Sequence, residues 1–249
     1  MTEVETTDSD SHKIRRSVFA TTHWSVVLAI GDAKTTCAQA ALSRLCQSYW
    51  YPLYAYVRRR GYIPQDAEDL TQEFFARLFR NETLSGFSRE GGRFRSFLLK
   101  SMSHFLTDEW RRARVQKRGG GQIISLDVAS AECRYGIEPV DTHTPETLYD
   151  RAWALVLLDT VFHRLRNEYA RAGKVALFEE IKFCLTGQRN AIPYAELASR
   201  INQPENTLKT QVHRLRQRYR ELLREEVAQL VASPTEVEEE LRSLFRAMS

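Results

Sequence analysis

The chain has four cysteines, at positions 37, 46, 133 and 184, and no two of them share the spacing of a zinc site or a redox pair. They read as reduced, mostly buried thiols of a cytosolic protein. The six histidines are scattered, without a His-Glu-x-x-His or comparable ligand set. His163, on a mostly apolar helical stretch, reads as a structural histidine rather than a ligand. No pair of carboxylates converges for acid–base work, and there is no Gly-x-Ser-x-Gly elbow or dinucleotide fingerprint. Gly119–Gly121 has no strand before it and no Gly-Lys-Ser/Thr opening a helix after it, so it is no phosphate loop. These gaps leave nothing on which to build a catalytic mechanism. The chain therefore reads as a non-enzyme that needs neither metal nor cofactor.

Long apolar runs are missing too. The longest, around Ala154–Leu158, is far too short to cross a bilayer. Nothing near the N-terminus has the form of a signal peptide. A soluble, cytoplasmic protein with no membrane partner is expected. There is no internal repeat.

What is present is charge in an uneven pattern. The 249 residues carry 36 Lys and Arg against 32 Asp and Glu, a net charge of +4. The bases gather around Arg111–Arg118 and along Lys209–Arg224, and the acids in the first ten residues and after Glu225. Such asymmetry favours a nucleic-acid partner more than the small net charge does.

The most informative stretch is Tyr194–Leu223. A short amphipathic helix (Tyr194, Leu197, Ala198, Ile201) meets a break at Asn202-Gln203-Pro204. A longer helix follows, with Leu208, Val212, Leu215, Tyr219 and Leu222 on one stripe. Asn202 can take the left-handed backbone of a tight turn, and Pro204 suits the first helical turn. This is the pattern of a helix-turn-helix, whose second helix enters the major groove. Glu205, Asn206, Lys209, Thr210, His213 and Arg214 then point outward, with side chains suited to base edges and phosphates. Arg216, Arg218, Arg220 and Arg224 either hold a nucleic-acid backbone or only solvate the helix.

The rest of the chain also reads as helical. Residues 1–18 are too polar to order. Thr22 could cap a short helix carrying Trp24, ended by Gly31. Thr35–Arg60 follows, with a kink or break expected near Tyr49–Tyr51 because of Pro52. Gln65–Phe79 is a helix whose first turn holds Asp66, Glu68 and Asp69, where carboxylates suit the dipole. With Gln72 and Glu73 they extend an acidic, hydrogen-bonding strip along the exposed side. After a loop at residues 81–92, Arg93–Arg114 forms a basic helix. Phe94, Phe97, Leu98, Met102 and Phe105 are its buried stripe. Arg93, Arg95, Lys100, His104, Trp110, Arg111, Arg112 and Arg114 are its candidate DNA-facing residues, since bases stack on rings while cations follow the backbone.

Residues 116–145 have linker composition. Thr144 and Pro145 start a new helical domain, with helices over Ala152–Tyr169 and Lys174–Leu185 and core positions at Trp153, Val156, Leu157, Val161 and Leu165. After Ser233-Pro234 a last amphipathic helix turns Val237, Leu241, Leu244 and Phe245 inward and Glu236, Glu238, Glu239 and Glu240 outward. It is expected to fold back on the second domain, because a lone short helix is unstable in water.

These residues carry a resemblance. Tyr51–Phe79, with Asp66-Ala67-Glu68-Asp69-Leu70 and Gln72-Glu73-Phe74, resembles region 2 of bacterial sigma-70 factors. Phe94–Arg114 resembles the segment that follows in that family, and Tyr194–Arg218 resembles region 4. Order and spacing are similar to those of the two-domain, extracytoplasmic-function group. The chain departs from that pattern in a longer Arg166–Gly187 connection, in Gln203-Pro204 at the turn, and in the Trp24 segment and the tail after Ala232.

The resemblance implies an all-α fold of two helical domains joined by a flexible linker. The expected divisions are a tail (1–18), a region 2-like domain (19–115), the linker (116–145), a region 4-like domain (146–231) and a C-terminal helical extension (232–249). It implies a sigma factor that binds core RNA polymerase, on the clamp of the largest subunit and the flap of the second-largest, and melts promoter DNA. Asp66, Asp69, Gln72 and Glu73 would dock on the clamp. The loop after them and the basic helix would capture an unstacked base of the −10 element, and the outward residues of the helix-turn-helix would read the −35 element. An anti-sigma factor or other regulator is a further partner the resemblance allows. The competing reading is a free-standing helix-turn-helix regulator that binds duplex DNA as a dimer, in which the acidic strip has no task. A nuclease would need a metal-binding acid cluster, and none converges.

Overall fold

The computed structural model describes residues 36–79, 94–115, 131–132, 134–135, 144–185, 193–231 and 235–248. Among these residues all regular structure is helical. The helices are α1 (Thr36–Arg59), α2 (Pro64–Phe79), α3 (Phe94–Val115), α4 (Pro145–Arg171), α5 (Val175–Ile181), α6 (Tyr194–Arg200), α7 (Glu205–Ala228) and α8 (Glu236–Met248), with a 3-10 turn at Lys182–Leu185 after α5. The tail, the Trp24 segment, the loop at 81–92 and most of the linker lie outside the described residues. The chain divides into two compact units. One is Met1–Val156 with Ala228–Ser249, and the other is Leu157–Val227.

The first unit is built around α1. Every residue from Tyr49 to Val57 is buried, and a helix that is apolar all round must be covered all round. Pro52 lies inside α1 and does not end it, so the expected break is absent. Surrounding packing holds the helix through the missing backbone hydrogen bond. Tyr49 meets Phe94 edge to face at 5.5 Å, and Phe74 meets Phe105 at 5.7 Å. Gly61 turns the chain between α1 and α2 at φ +93, a conformation a Cβ would disfavour.

One piece of the linker is anchored rather than free. Residues 131–132 and 134–135 are helical, and Ala131 is buried. The Glu132 carboxylate takes two bonds from the Arg58 guanidinium, at 2.7 and 3.2 Å, and one from the Tyr54 hydroxyl at 2.5 Å. Chiefly the Arg58 guanidinium, with the Tyr54 hydroxyl, holds its pKa below the usual carboxylate range. Arg58 also lies over the Tyr135 ring and Arg134 over Tyr51. Composition read this stretch as flexible because its glycines and prolines flank a short segment that finds partners on α1.

The C-terminal helix was expected on the helix-turn-helix domain, but it belongs with the first unit. Val237, Glu240, Leu241 and Leu244 are its buried face. Phe245 is instead exposed, and Glu240 is inside.

The second unit begins within α4, whose start is capped as expected: the Thr144 hydroxyl accepts the Thr147 amide at 3.2 Å. Leu157, Val161 and Leu165 are buried, with Phe178 and Ile181 of α5. His163 is not structural in the sense expected. Its side chain is exposed, 3.7 Å from Asp159. Cys46 and Cys184 are free and half-buried, and burial pushes both thiols up, that of Cys46 to about 11.

Arg218 of α7 makes a two-pronged pair with Glu168 of α4, at 2.8 and 2.9 Å. Hydrogen bonding from Arg218 holds Glu168 below its ordinary value near 4.5. A carboxyl whose folded value is depressed stabilises above its unfolded value, and that stability is lost as pH falls through the folded one. Thermal melts of the second unit between about pH 6 and pH 3 should therefore fall less steeply in Arg218→Gln than in the unaltered chain. Both partners are about a third exposed, so solvent screening keeps the difference small. Parallel slopes in the two proteins would show that the pair adds nothing.

Candidate nucleic-acid interface

Three surfaces carry the residues singled out from sequence. The first lies on α2. Asp66, Asp69 and Glu73 fall within about one-sixth of a turn of each other around the helix. Asp66 and Asp69 are exposed. Glu73 is partly exposed but engaged: it accepts from Arg77 at 2.8 Å, and Arg77 also pairs with Glu109 at 2.8 Å and lies over the Phe105 ring. Gln72 is buried, with its amide donating to Glu68 at 2.9 Å. The strip read as four outward groups is therefore two exposed carboxylates, a third held by arginine, and an inward amide. Burial and the charge of Asp69 raise the Glu68 carboxyl.

The second surface is α3. Lys100, His104 and Arg111 lie along one exposed face of the helix. Arg112 is exposed and pairs with Glu109 at 2.8 Å, and Arg111 lies 3.6 Å from Asp108. Such exposed pairs are weak and exchange readily for phosphate. Trp110 is 54% exposed, a large ring on a basic helix. Phe94 and Phe105 are core, as the periodicity required. Arg93 lies outside the described residues, as does the side chain of Arg114. Arg95 does not fit the expected set. It is buried and bound to three other side chains.

The third surface is the helix-turn-helix. Asn202 sits at φ +50. Its amide bonds Ser199 and that of Gln203 bonds Ala198, so the turn closes α6 with satisfied carbonyls. Leu208, Val212 and Leu215 face inward. Asn206, Lys209, Thr210, His213 and Arg214 are exposed, and Glu205 is half-buried in an ion pair with Lys209 at 2.7 Å. Two of the four later arginines have structural tasks: Arg216 donates to the Cys184 carbonyl at 3.1 Å, and Arg218 is held by Glu168.

Among the described residues no group of three or more His, Cys, Asp or Glu could hold a metal, and no helix is long and apolar enough to cross a membrane.

One stretch of the chain, from within α1 to the end of α3, is similar to a known family. Residues 45–115 match the family model of Sigma-70 region 2. This stretch is similar to a sigma-70 region 2. The match supports a sigma-70 family member with a role in promoter recognition, and region 2 implies binding to core RNA polymerase and promoter DNA. It begins in α1 and ends at the last residue of α3, so the helix-turn-helix rests on its own geometry. No curated protein and no solved structure gives a significant match to the chain.

Proposed function

We propose that the chain is a two-domain sigma factor of the extracytoplasmic-function type. It binds core polymerase through α2, opens the −10 element with α3 and the loop before it, and reads the −35 element with α7. The observation that carries this reading is the region 2 match over 45–115. The divisions proposed are a region 2 domain ending near 115, a linker with anchored residues at 131–132 and 134–135, and a region 4-like helix-turn-helix. It acts in the cytoplasm and has no enzymatic activity of its own. The clamp of the largest polymerase subunit would meet Asp66 and Asp69, where charge complementarity steers association and fixes register. Lys100, His104, Trp110, Arg111 and Arg112 would follow the melted strand. Extracting a base costs a few kcal/mol, offset by stacking and by the cationic face. The flap of the second-largest subunit would carry the helix-turn-helix.

The test is co-purification with bacterial core RNA polymerase, followed by run-off transcription on a promoter library. Stoichiometric capture with transcription from a subset of promoters is expected. Failure to bind core, with tight binding to a duplex alone, would instead indicate a free-standing regulator.

The recognition surface makes a separate prediction. Lys209→Ala with His213→Ala should leave polymerase capture intact and lower transcription from the cognate promoter. Removing a side chain that reads a base edge costs about 1–3 kcal/mol of discrimination. Unchanged promoter strength and choice would mean that another face of α7 meets DNA.

A further inference from the structure

Arg95 stands second in α3, at the end nearest the loop expected to hold the −10 base, yet its side chain is only 5% exposed. Its Nη1 donates to Asp150 Oδ1 at 2.7 Å on α4, and its Nη2 donates to Ser243 Oγ at 2.9 Å on α8. Its Nε lies 3.1 Å from Glu240 Oε1, also on α8. The guanidinium covers the Trp153 ring at 4.4 Å. Tyr149 donates its hydroxyl to the Arg95 carbonyl at 3.1 Å, which fixes the backbone as well.

Glu240 is as deeply buried as Arg95, with 4% of its side chain exposed. A carboxylate in such a place is costly unless paired, and a buried pair adds little net stability over apolar residues that would fill the same space. The pair therefore does more to fix where α8 sits than to stabilise the fold. α8 has 13 residues, a length at which an isolated helix is marginal in water. Its attachment rests on Val237, Leu241 and Leu244 together with this pair. While α8 is attached, Glu240 and Asp150 occupy the guanidinium of Arg95 and neutralise its charge, so Arg95 itself is withheld from phosphate. With α8 detached, Asp150 is the one carboxylate left of the two, beside the Trp153 ring. It is 42% exposed, and a phosphate can compete for an exposed pair.

We propose that α8 is an intramolecular latch that withholds Arg95 from nucleic acid, and that its release adds Arg95 to the cationic face of α3. The inference rests on the reading of α3 as the strand-facing helix. It makes the C-terminal segment an element that lowers DNA affinity in the free chain.

The test uses the full chain carrying Glu240→Gln and Ser243→Ala, beside Glu239→Gln as a control that removes the same charge from an exposed position. Hydrogen exchange reports whether α8 is held. Fluorescence anisotropy with random single-stranded DNA of about 30 nucleotides, at several salt concentrations, reports the cationic face. In the double variant, α8 amides should exchange about tenfold faster or more, while α1 and α2 stay protected. DNA affinity should rise above that of the control, and the salt dependence should steepen by about 0.7 in log–log slope, the effect of neutralising one more phosphate. Unchanged exchange would overturn the latch, because the pair would not be holding the helix. Faster exchange with the control's affinity and slope would also overturn it, as would general loss of protection in the first unit. Either result would make α8 a structural support. Capture of core polymerase by the unaltered chain is scored separately: its absence overturns the sigma reading, whereas the latch is decided by exchange and by DNA binding of the chain alone.

Discussion

Replacing Trp153 with alanine is expected to destabilise the first unit by about 3–5 kcal/mol and to leave the second folded. Trp153 heads the fully buried side chains by volume and is 1% exposed. Its removal leaves a cavity in a close-packed interior, which costs more than the transfer of the lost atoms alone. It also removes the ring beneath Arg95, leaving a buried cation without its aromatic floor. By sequence position Trp153 sits in the helix that opens the helix-turn-helix domain, yet its neighbours are Arg95 and the residues around it in the first unit. Urea unfolding followed by circular dichroism, with hydrogen exchange resolved by segment, separates the two possibilities. Protection should fall in α1 and α3 and persist in α7. Loss confined to α7 would place the boundary before α4, near residue 145, as composition alone suggested.

That difference shows what periodicity can and cannot reveal. The positions of α2, α3, α4, α6 and α7 were legible because apolar residues recur at helical spacing and because Thr144, Gly173 and Asn202 punctuate them in physically required ways. The helix-turn-helix stripe of Leu208, Val212 and Leu215 was fully readable for the same reason. Periodicity gives a buried face but does not name what covers it, so the partner of α8 and the unit to which Trp153 belongs were not legible.

The misplaced polar residues did leave a signal. Arg95 is three residues before Leu98 and seven before Met102, inside the buried stripe of α3. Glu240 is three after Val237 and four before Leu244, inside that of α8. Gln72 lies three before Phe75. A charge in the middle of an apolar stripe calls for a buried partner, and Arg95 with Glu240 are one another's. Counting cations along α3 as a DNA-facing set passed over the face on which each one lies.

The same sorting sharpens what can be expected of α2. Lysine at both Asp66 and Asp69 should reduce capture of core polymerase by at least about a hundredfold, since juxtaposed like charges at an interface cost several kcal/mol. The fold should survive, because both side chains are exposed. The only intrinsic loss is a favourable dipole term at the first turn, about 0.3–1 kcal/mol for Asp66. Glu73→Lys should behave differently. It would set a cation against Arg77, which is itself held between Glu73 and Glu109 over the Phe105 ring. Any lost capture there would come with lost stability and would say little about docking. Gln72 is buried, so its substitution would disturb packing as well as any docking surface. Asparagine at Asp66 and Asp69 isolates the electrostatic share, because it removes attraction without adding repulsion, and its loss should be intermediate and weaken with salt. Undiminished capture by Asp66→Lys with Asp69→Lys, in a chain of normal helicity, would mean that polymerase meets a surface other than the exposed face of α2.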